Sequence, residues 1–475
     1  MRLNDKKILF YSLILALVIL LIFPLIRITF FESSFAGDEA YHNQIIAENL
    51  LEQGFSKTEN LIDRPYLPNP YNILLAGIGE LIGVTIASML LPLIFGLISV
   101  YMFYLILKSF KLNFMRKLIA LMFLIISPAF IYLFSVSNAY SLAITLSLIA
   151  FYLFIKQEKK YFIISLVLFA ITALFGFVHS LILSFILISY SIKDKTRLTR
   201  ASIITLKMGV ISLAYNLAFF IKYNILMQNL ALNPEYLVGL VSDLGGIKGF
   251  GIFTILLMIF GLYVVWKTKK QPLGYILLII TLASAVLYST SINFYLVFPF
   301  SILAAYGFYT ILKMRWTFSL IKQLAVIVII AGIVFSTVSY INQTSKANPN
   351  KELIESLEWL KENSGSEEIV LSHYSRGLWI QSIAERKVIS DSLFRKTPNL
   401  DKKLDLSNTL FYSRTLKNTS SLLSKNNISY IFLDSEMKSH LVWTREQEGL
   451  LFLFRNNETF KNVYKKENIE IWKVI

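Results

Sequence analysis

Cysteine is absent from the sequence, which excludes disulfide bonds and thiolate metal sites. Charged residues are scarce, at 16% of the 475 residues, whereas 55% are hydrophobic. A soluble protein of this length does not need so much apolar surface, because polar groups must cover its exterior. The hydrophobic residues also form long blocks bounded by charges, and blocks of about 20 apolar residues are typical of helices that cross a bilayer. The composition therefore predicts a polytopic α-helical membrane protein.

The hydrophobic blocks predict about eleven spanning helices, since each block is close to the length that crosses the hydrocarbon. They lie at Ile8–Ile26, Val84–Leu107, Leu118–Phe134, Ala139–Ile155, Tyr161–Gly176, Phe177–Ile192, Ala201–Phe220, Gly249–Trp266, Pro272–Tyr288, Phe294–Leu312 and Phe318–Ser339. The apolar stretch Tyr71–Leu107 is too long for one straight span. We interpret Asn72–Gly83 as an interfacial or re-entrant segment that precedes a single span.

The net charge of +16 is distributed in a way that argues against a nucleic-acid partner. Lysine and arginine occur in short clusters at every second connection between the blocks, and the intervening connections contain few of them. The clusters begin at Lys108, Lys156, Lys193, Lys267 and Lys313. By the positive-inside rule these connections are cytoplasmic. We therefore expect a plasma-membrane protein with a cytoplasmic N-terminus and an extracellular C-terminus.

Two predicted outer connections are long, residues 30–70 and 221–248, and long connections on a rigid scaffold often carry function. Residues 1–340 are predicted to form the transmembrane domain to which both belong. Residues 341–475 show another pattern, in which helix-like Lys351–Asn363 precedes strand-like Glu368–Ser372. The same order recurs in Asn418–Lys425 and Ile428–Leu433, and Asn462–Ile475 is typical of two short strands. This alternation predicts an extracytoplasmic α/β domain.

The first outer loop carries two adjacent carboxylates, Asp38 and Glu39, just beyond the first span. A carboxylate at this boundary can act as a general base toward a hydroxyl or can hold a divalent cation. The alternative is structural, because both acids precede a helical pattern and a helix dipole favours acids at its N-terminus. His179, inside an apolar span, presents the same choice between a functional and a structural polar group. The residues alone leave both choices open.

The segment Gly37–Phe55, GDEAYHNQIIAENLLEQGF, resembles the first outer loop of the GT-C superfamily of membrane glycosyltransferases. That superfamily includes oligosaccharyltransferases, protein O-mannosyltransferases and the lipid A aminoarabinose transferase, and its loop carries an acidic motif followed by a tyrosine and a helix. Ser356–Asp391 is similar to the start of the outer domain of archaeal oligosaccharyltransferases. Phe294–Gly307, FYLVFPFSILAAYG, resembles a late span of these enzymes.

The resemblance implies an inverting transfer of a sugar from a polyprenyl (dolichol-type) phosphate or diphosphate to a surface glycan, lipid or protein. Asp38 matches the key acid of the family and would be the base or acceptor-orienting group, with Glu39 assisting. Positive charge is needed to stabilise the departing phosphate. The expected phosphate-binding or sugar-binding residues are Tyr41, His42, Arg64, Lys222, Lys248 and Asp243. The resemblance fixes no cofactor: Mg²⁺ or Mn²⁺ on Asp38 and Asp243 and metal-free base catalysis are both compatible with these residues.

Three positions depart from the pattern of the relatives. A WWDYG-type turn is replaced by Ser372–Gly377, which argues against recognition of an asparagine sequon. Asn293 stands where many relatives have an arginine, and Asn138 where they often have a second acid. Because of these departures, a second interpretation remains open, in which the protein has the same fold but is a catalytically silent scaffold. A third interpretation is a transporter or flippase of lipid-linked sugars, but the scarcity of charges inside the spans and the lack of a convincing internal repeat favour the enzyme.

Overall fold

The computed structural model describes residues 5–31, 33, 35–54, 58–59, 61–62, 64–66, 68–192, 194–223, 239–267, 292–393, 400–445 and 447–475. They form two compact units. The first, here called the helical unit, comprises Met1–Arg27, Asn69–Leu74 and Thr85–Lys346. The second, here called the mixed unit, comprises Ile28–Pro68, Leu75–Val84 and Ala347–Ile475.

Helices account for most of the described residues. In chain order they are α1 (Asp5–Phe31), α2 (Glu39–Gln53), α3 (Pro70–Ile82), α4 (Val84–Ser109), α5 (Phe114–Ile125), α6 (Pro128–Ser135), α7 (Ala139–Lys156), α8 (Lys159–Thr172), α9 (Phe177–Ser191), α10 (Lys195–Tyr223), α11 (Ile252–Lys267), α12 (Ile292–Lys313), α13 (Ser319–Ser345), α14 (Lys351–Asn363), α15 (Leu400–Tyr412), α16 (Leu416–Lys425) and α17 (Leu450–Leu453). The strands are β1 (Thr58–Glu59), β2 (Arg64–Pro65), β3 (Ile369–Leu371), β4 (Lys387–Val388), β5 (Ile428–Leu433), β6 (Phe460–Lys466) and β7 (Ile469–Val474).

Within the described ranges, six helices are long and apolar enough to cross a membrane, namely α1, α4, α7, α10, α12 and α13. The bent pair α5 and α6 gives a seventh, and α3, α9 and α11 are shorter apolar helices. The chain is therefore a multi-pass membrane protein, as its composition predicted. The predicted span Pro272–Tyr288 and most of the loop 221–248 lie outside the described residues. The total of about eleven spans stays a prediction.

One predicted span was wrong in its shape. Leu118–Phe134 is not one straight helix, because α5 and α6 meet at an angle of 60°. Ser127 between them is extended, with φ −70° and ψ 129°. The next residue is Pro128, whose ring disfavours a helical conformation in the preceding residue and which has no N–H to continue the helix. Hydropathy alone does not register this break.

The break that the sequence predicted after Asn72–Gly83 is present. Helix α3 ends at Ile82, and Gly83 adopts a left-handed conformation with φ 88°. A separate 26-residue helix, α4, then begins at Val84. Glycine permits this turn because it has no Cβ to clash in the left-handed region.

Close backbone contact and a buried arginine hold parts of the helical unit together. A Cβ added to Gly261 would lie 1.9 Å from the carbonyl oxygen of Leu303, so α11 and α12 approach as only small residues allow. At the C-terminal end of α13, the Nη1 of fully buried Arg27 donates to the carbonyl oxygen of Ser345 at 2.9 Å. This bond satisfies a carbonyl in the last turn of α13.

The mixed unit is built on a five-stranded sheet with the order β4-β3-β5-β7-β6. Strands β4, β3 and β5 are parallel to one another, whereas β7 pairs antiparallel with both β5 and β6. Its helix and strand positions agree with the alternation predicted for the tail. Helix α14 begins behind Asn350, whose side chain accepts a hydrogen bond from the N–H of Leu353 at 3.0 Å. Buried residues from β5, α15 and the segment around Trp443 form its core.

The mixed unit also contains most of the first long loop, residues 28–68, together with the tail. The carboxylate of Asp391 in the tail pairs with Arg64 of the loop, and the N–H of Val388 donates to the carbonyl oxygen of Leu61 at 3.4 Å. The compact unit therefore begins before the predicted boundary at 340, because the loop is bonded to the tail rather than projecting alone.

Candidate functional site

Asp38 lies at a glycine turn between α1 and α2. Gly37 adopts φ 72°, and its N–H donates to the carbonyl oxygen of Asn348 at 2.9 Å. Asp38 itself has helical backbone angles, φ −93° and ψ −29°, and its carboxylate makes no capping hydrogen bond to α2. An N-cap residue normally has extended backbone angles and bonds the exposed N–H groups with its side chain. The side chain of Asp38 therefore does not cap α2, although the residue lies at the helix N-terminus, where the helix dipole favours an acid as the structural alternative expected.

The surroundings of Asp38 favour its protonated form. Burial is the largest effect and raises the pKa of the Asp38 carboxyl above its ordinary 3.8, and the negative charges of Asp391 and Glu39 act in the same direction. The hydroxyl of Ser392 and the positive charge of Arg376 oppose them. A carboxylate with a raised pKa binds a proton more readily, which suits a general base. All of these groups belong to the mixed unit.

Arg64 is engaged in a buried ion-pair network. Its Nε and Nη2 donate to the two carboxylate oxygens of Glu59, at 2.9 and 2.6 Å, and its Nη1 donates to Oδ1 of Asp391 at 2.6 Å. Burial lowers the pKa of Arg64, but the two acids outweigh burial and hold it above its ordinary value. The side chain is 1% exposed. The predicted role of Arg64 as a phosphate ligand is therefore not retained, since both faces of its fork are occupied by carboxylates.

Asp391 connects this network to the surroundings of Asp38. Its side chain is fully buried, and Oδ2 accepts from the amide of Gln381 at 3.0 Å. Its Oδ1 also accepts from the N–H of Leu393 at 2.9 Å, which closes a turn around Ser392. Asp391 ends the segment Ser356–Asp391 that resembles the outer domain of archaeal oligosaccharyltransferases, but its functional importance was not predicted.

The turn Ser372–Gly377 follows β3 and supplies a second charged group near Asp38. Arg376 donates to Asp434 at 2.5 Å and also to Glu436, and its guanidinium lies over the ring of Trp379 at 5.2 Å. His373 bonds the hydroxyl of Ser375 through Nδ1 at 2.7 Å. Burial, and next the charge of Arg376, lower the pKa of His373 to about 4, so this imidazole is neutral at neutral pH.

The polar residues of these segments meet because of sheet topology. His373 and Arg376 follow β3, Asp391 and Ser392 follow β4, and Asp434 follows β5. The three strands are parallel neighbours, so their carboxyl ends lie at one edge of the sheet. Ligand sites in parallel sheets are usually found at this edge. Polar residues after successive strands are the signal by which sequence reasoning could have found Asp391 and Asp434.

Gly377 allows the turn to pack against the segment that carries Asp391. A Cβ on Gly377 would lie 2.4 Å from the carbonyl oxygen of Ser390 and 2.6 Å from the Cα of Asp391. Real Cβ atoms do not approach backbone atoms so closely, so only glycine fits here. The glycine retained in place of the WWDYG-type turn therefore has a packing reason in this chain.

The other predicted residues of α2 differ in their surroundings. Tyr41 is 5% exposed, and its ring packs edge-on against Phe35 with ring centres 5.8 Å apart. This placement shows that Tyr41 packs in the core, and its predicted sugar contact stays a prediction. Glu39 and His42 are half-buried. Glu39 adds negative charge beside Asp38.

In the helical unit, Asp243 and Lys248 lie just before α11. The Oδ2 of Asp243 accepts from the N–H of Ile252 at 2.7 Å and so satisfies the start of α11. The predicted ligand role of Asp243 stays a prediction. The ammonium of half-buried Lys248 lies 5.5 Å from the ring centre of Tyr132 and 5.7 Å from that of Phe294. The side chain of Lys222 lies outside the described residues.

His179 and its neighbours form a second polar group in the helical unit. The Nδ1 of His179 lies 2.9 Å from the hydroxyl of Tyr295, and its ring packs on Tyr140 with centres 4.8 Å apart. Tyr140 also contacts Phe294. This buried histidine therefore has a hydrogen-bond partner, as the structural interpretation of its position expected.

The predicted metal site does not find support in the donor set. In the described part of the chain, no three His, Cys, Asp or Glu side chains converge. Asp243 is engaged at the start of α11. We derive no step through a metal ion.

The fold is that of the GT-C membrane glycosyltransferases, so the predicted resemblance is confirmed at the level of the fold. AglB, an archaeal oligosaccharyltransferase from Archaeoglobus fulgidus solved with an inhibitory peptide and a dolichol-phosphate, gives a TM-score of 0.61 at 14% identity over 94% of this chain and 72% of that one. ArnT from Cupriavidus metallidurans, bound to undecaprenyl phosphate, gives 0.63 at 10% identity over 97% of both chains. The mycobacterial arabinofuranosyltransferase AftD gives 0.60 at 11% identity over all of this chain and 40% of that one. The archaeal enzyme was also solved with Zn and sulfate, with a TM-score of 0.64 at 14% identity over 95% of this chain and 71% of that one.

No protein-family model matches the chain, and no curated protein sequence matches it.

Proposed function

We propose that the protein is a glycosyltransferase that moves a sugar from a polyprenyl phosphate or diphosphate to a glycan, lipid or protein acceptor at the outer face of the membrane. The observation that carries this proposal is Asp38, a carboxylate with no capping bond and with surroundings that raise its proton affinity. The shared fold supports it, since AglB and ArnT were solved with dolichol-phosphate and undecaprenyl phosphate.

In the proposed reaction an acceptor hydroxyl attacks the anomeric carbon of the donor. The hydroxyl proton passes to the carboxylate of Asp38, the new C–O bond forms, and the anomeric C–O bond to phosphate breaks on the opposite side. The electron pair of that bond leaves with the phosphate, and the anomeric configuration inverts. Phosphate is already a good leaving group, so the step needs a base and positive charge more than a general acid.

Lys248 is the cation of the helical unit that we retain as a candidate for the carrier phosphate. Its ammonium lies against the rings of Tyr132 and Phe294 and is half-buried. A partly desolvated ammonium attracts phosphate more strongly than one in bulk water. Arg64 and Asp243 are each bonded to other groups of the protein and are not carried forward.

The test compares the wild-type protein with Asp38→Asn and with a control, Asp401→Asn, in a sugar-transfer assay. Membranes would be supplied with a panel of radiolabelled polyprenyl-linked sugars and native membrane acceptors. Loss of the base should reduce transfer by about 10²–10⁴-fold, whereas Asp401, exposed on α15, should be dispensable. Equal transfer by wild type and Asp38→Asn would remove Asp38 from the mechanism.

A catalytically silent scaffold of the same fold is the second candidate. One observation in its favour is that Arg64 and Asp243 are bonded to other groups of the protein. A second is that Asn293 and Asn138 stand where relatives often have charged residues. The absence of transfer with every donor, in membranes where the folded wild-type protein is present, would support this candidate over the enzyme.

A further inference from the structure

An arginine near the ends of two membrane helices contacts tyrosine rings instead of an acid. The guanidinium carbon of Arg116 on α5 lies 4.5 Å from the ring centre of Tyr306 and 4.7 Å from that of Tyr309, both on α12. The ammonium of Lys313 lies 5.8 Å from the ring centre of Tyr309. Two positive charges therefore approach one tyrosine ring, and all four residues belong to the helical unit.

In the described part of the chain, no carboxylate balances these two charges. Asp5, the acid at the start of α1, is already bonded through both of its oxygens to Lys117, at 2.8 and 2.9 Å. Arg116 and Lys313 form no ion pair with a described acid. The Nε of Arg116 is buried and has no hydrogen-bond partner among the described residues. Like charges that converge repel each other, and a bound anion would offset this repulsion.

Membrane topology alone does not explain the arrangement. The positive-inside rule requires positive charge in a connection but no particular contact. Lys108, in the same predicted connection as Arg116, is exposed and makes no ring contact or ion pair with the described residues. Lys313 lies in the last turn of α12, where a cation also suits the helix dipole. That explanation does not extend to Arg116, which belongs to α5.

The surroundings of the two cations fit a lipid headgroup. Met314 and Trp316 follow Lys313 directly and are exposed, and Phe318, just before α13, is 63% exposed. Tyrosine and tryptophan are typical of the membrane–water interface. Arginine stacks on aromatic rings through its faces and binds phosphate through the N–H groups at its edge, so both contacts can form at the same time.

We propose that Arg116 and Lys313 bind the phosphate of an anionic membrane lipid at this end of α5 and α12, and that Tyr306 and Tyr309 hold the guanidinium in place. The exposed apolar side chains beside them would contact the acyl chains, which favours a lipid over a free phosphate. The site is separate from the candidate carrier site. Phe294, which contacts Lys248, lies fifteen residues before Tyr309, which is about 22 Å along α12 at 1.5 Å per residue.

The first test is native mass spectrometry of the full chain in detergent, titrated with dioleoyl phosphatidylglycerol. Arg116→Gln and Lys313→Gln should each weaken binding of the first lipid by about tenfold, because each removes one charge-assisted bond to phosphate. Lys108→Gln is the matched control, since it removes an equal charge from the same connection as Arg116. It should bind the lipid as wild type does. Equal binding by all four proteins, or an equal loss in the control, would overturn the proposal.

Two further titrations separate the sources of phosphate. Dioleoyl phosphatidylcholine, which has no net charge, should bind more weakly than phosphatidylglycerol and should not distinguish the variants. Inorganic phosphate that bound as tightly as phosphatidylglycerol, and was lost in the same variants, would indicate a soluble anion and overturn the lipid assignment.

Thermal unfolding gives a second measurement of the same site. A ligand that binds the folded state raises the thermal midpoint. Phosphatidylglycerol should therefore raise the midpoint of wild type and Lys108→Gln more than that of Arg116→Gln or Lys313→Gln. Lys313 is exposed, so its variant can carry both tests if Arg116→Gln fails to fold. An equal rise in all folded proteins would contradict the proposal.

Discussion

Charges of both signs act on the carboxylate of Asp38. Burial raises its pKa most, Asp391 and Glu39 add to this effect, and Ser392 and Arg376 oppose it. A base must be ionised to accept a proton, so transfer should fall as the pH drops through this raised pKa. The acid limb of the pH–rate profile is therefore expected above 3.8, the ordinary pKa of an aspartate.

Asp391→Asn should shift that acid limb to lower pH. The substitution removes a negative charge that raises the pKa of Asp38, so Asp38 stays ionised in more acidic solution. The amide keeps the shape of the side chain and an oxygen that can still accept from Arg64. The measurement is kcat/KM against pH for both proteins. An acid limb that stays in place, or moves to higher pH, would show that the charge of Asp391 does not raise the pKa of Asp38.

At the scale of elements, the stability of the mixed unit depends on the close contact between the turn Ser372–Gly377 and the segment after β4. Gly377→Ala would place a methyl group 2.4 Å from the carbonyl oxygen of Ser390, and this clash cannot be relieved by moving a flexible side chain because the oxygen belongs to the backbone. Overpacking of this kind costs about 1–3 kcal/mol. We expect a lower thermal midpoint for the variant and reduced transfer, because the segment that carries Asp391 and Ser392 would shift.

Gly365→Ala is the matched control for that substitution. A Cβ there would meet Glu368 at 3.6 Å, which is ordinary van der Waals contact, and Gly365 needs no left-handed backbone. Its thermal midpoint and transfer should equal those of wild type. Equal thermal midpoints for Gly377→Ala and Gly365→Ala would contradict this prediction. They would mean that the turn can move away from the segment after β4 without loss of stability.

The elements also show what the sequence could predict. Helix α14 and strand β5 were predicted because their apolar residues recur with the period of a helix or a strand. The bend at Pro128 was missed because a hydropathy pattern counts apolar residues and ignores backbone constraints. The role of Arg64 could not be predicted, because its partner Asp391 lies 327 positions away and nothing local indicates the pair.

At the scale of the whole molecule, the fold and the chemistry are supported by different kinds of observation. The resemblance of Gly37–Phe55, Ser356–Asp391 and Phe294–Gly307 to GT-C enzymes implied this fold, and solved enzymes confirm it at the level of the fold. Structural similarity at sequence identities of 10–14% establishes the fold, but it does not assign a sugar donor or an acceptor to this chain. The proposal of sugar transfer therefore depends on Asp38 and its surroundings.

The proposed reaction also requires the mixed unit to face the outside of the cell, and this orientation can be measured directly. Because the chain contains no cysteine, a single introduced thiol is the only site that a maleimide can label. Asn418 is exposed on α16, and Lys159 is exposed at the start of α8 in a connection predicted to be cytoplasmic. In intact cells a membrane-impermeant maleimide should label Asn418→Cys and should label Lys159→Cys only after permeabilisation. The opposite pattern would reverse the orientation and place Asp38, which belongs to the mixed unit, on the cytoplasmic side, where an outer-face transferase could not work.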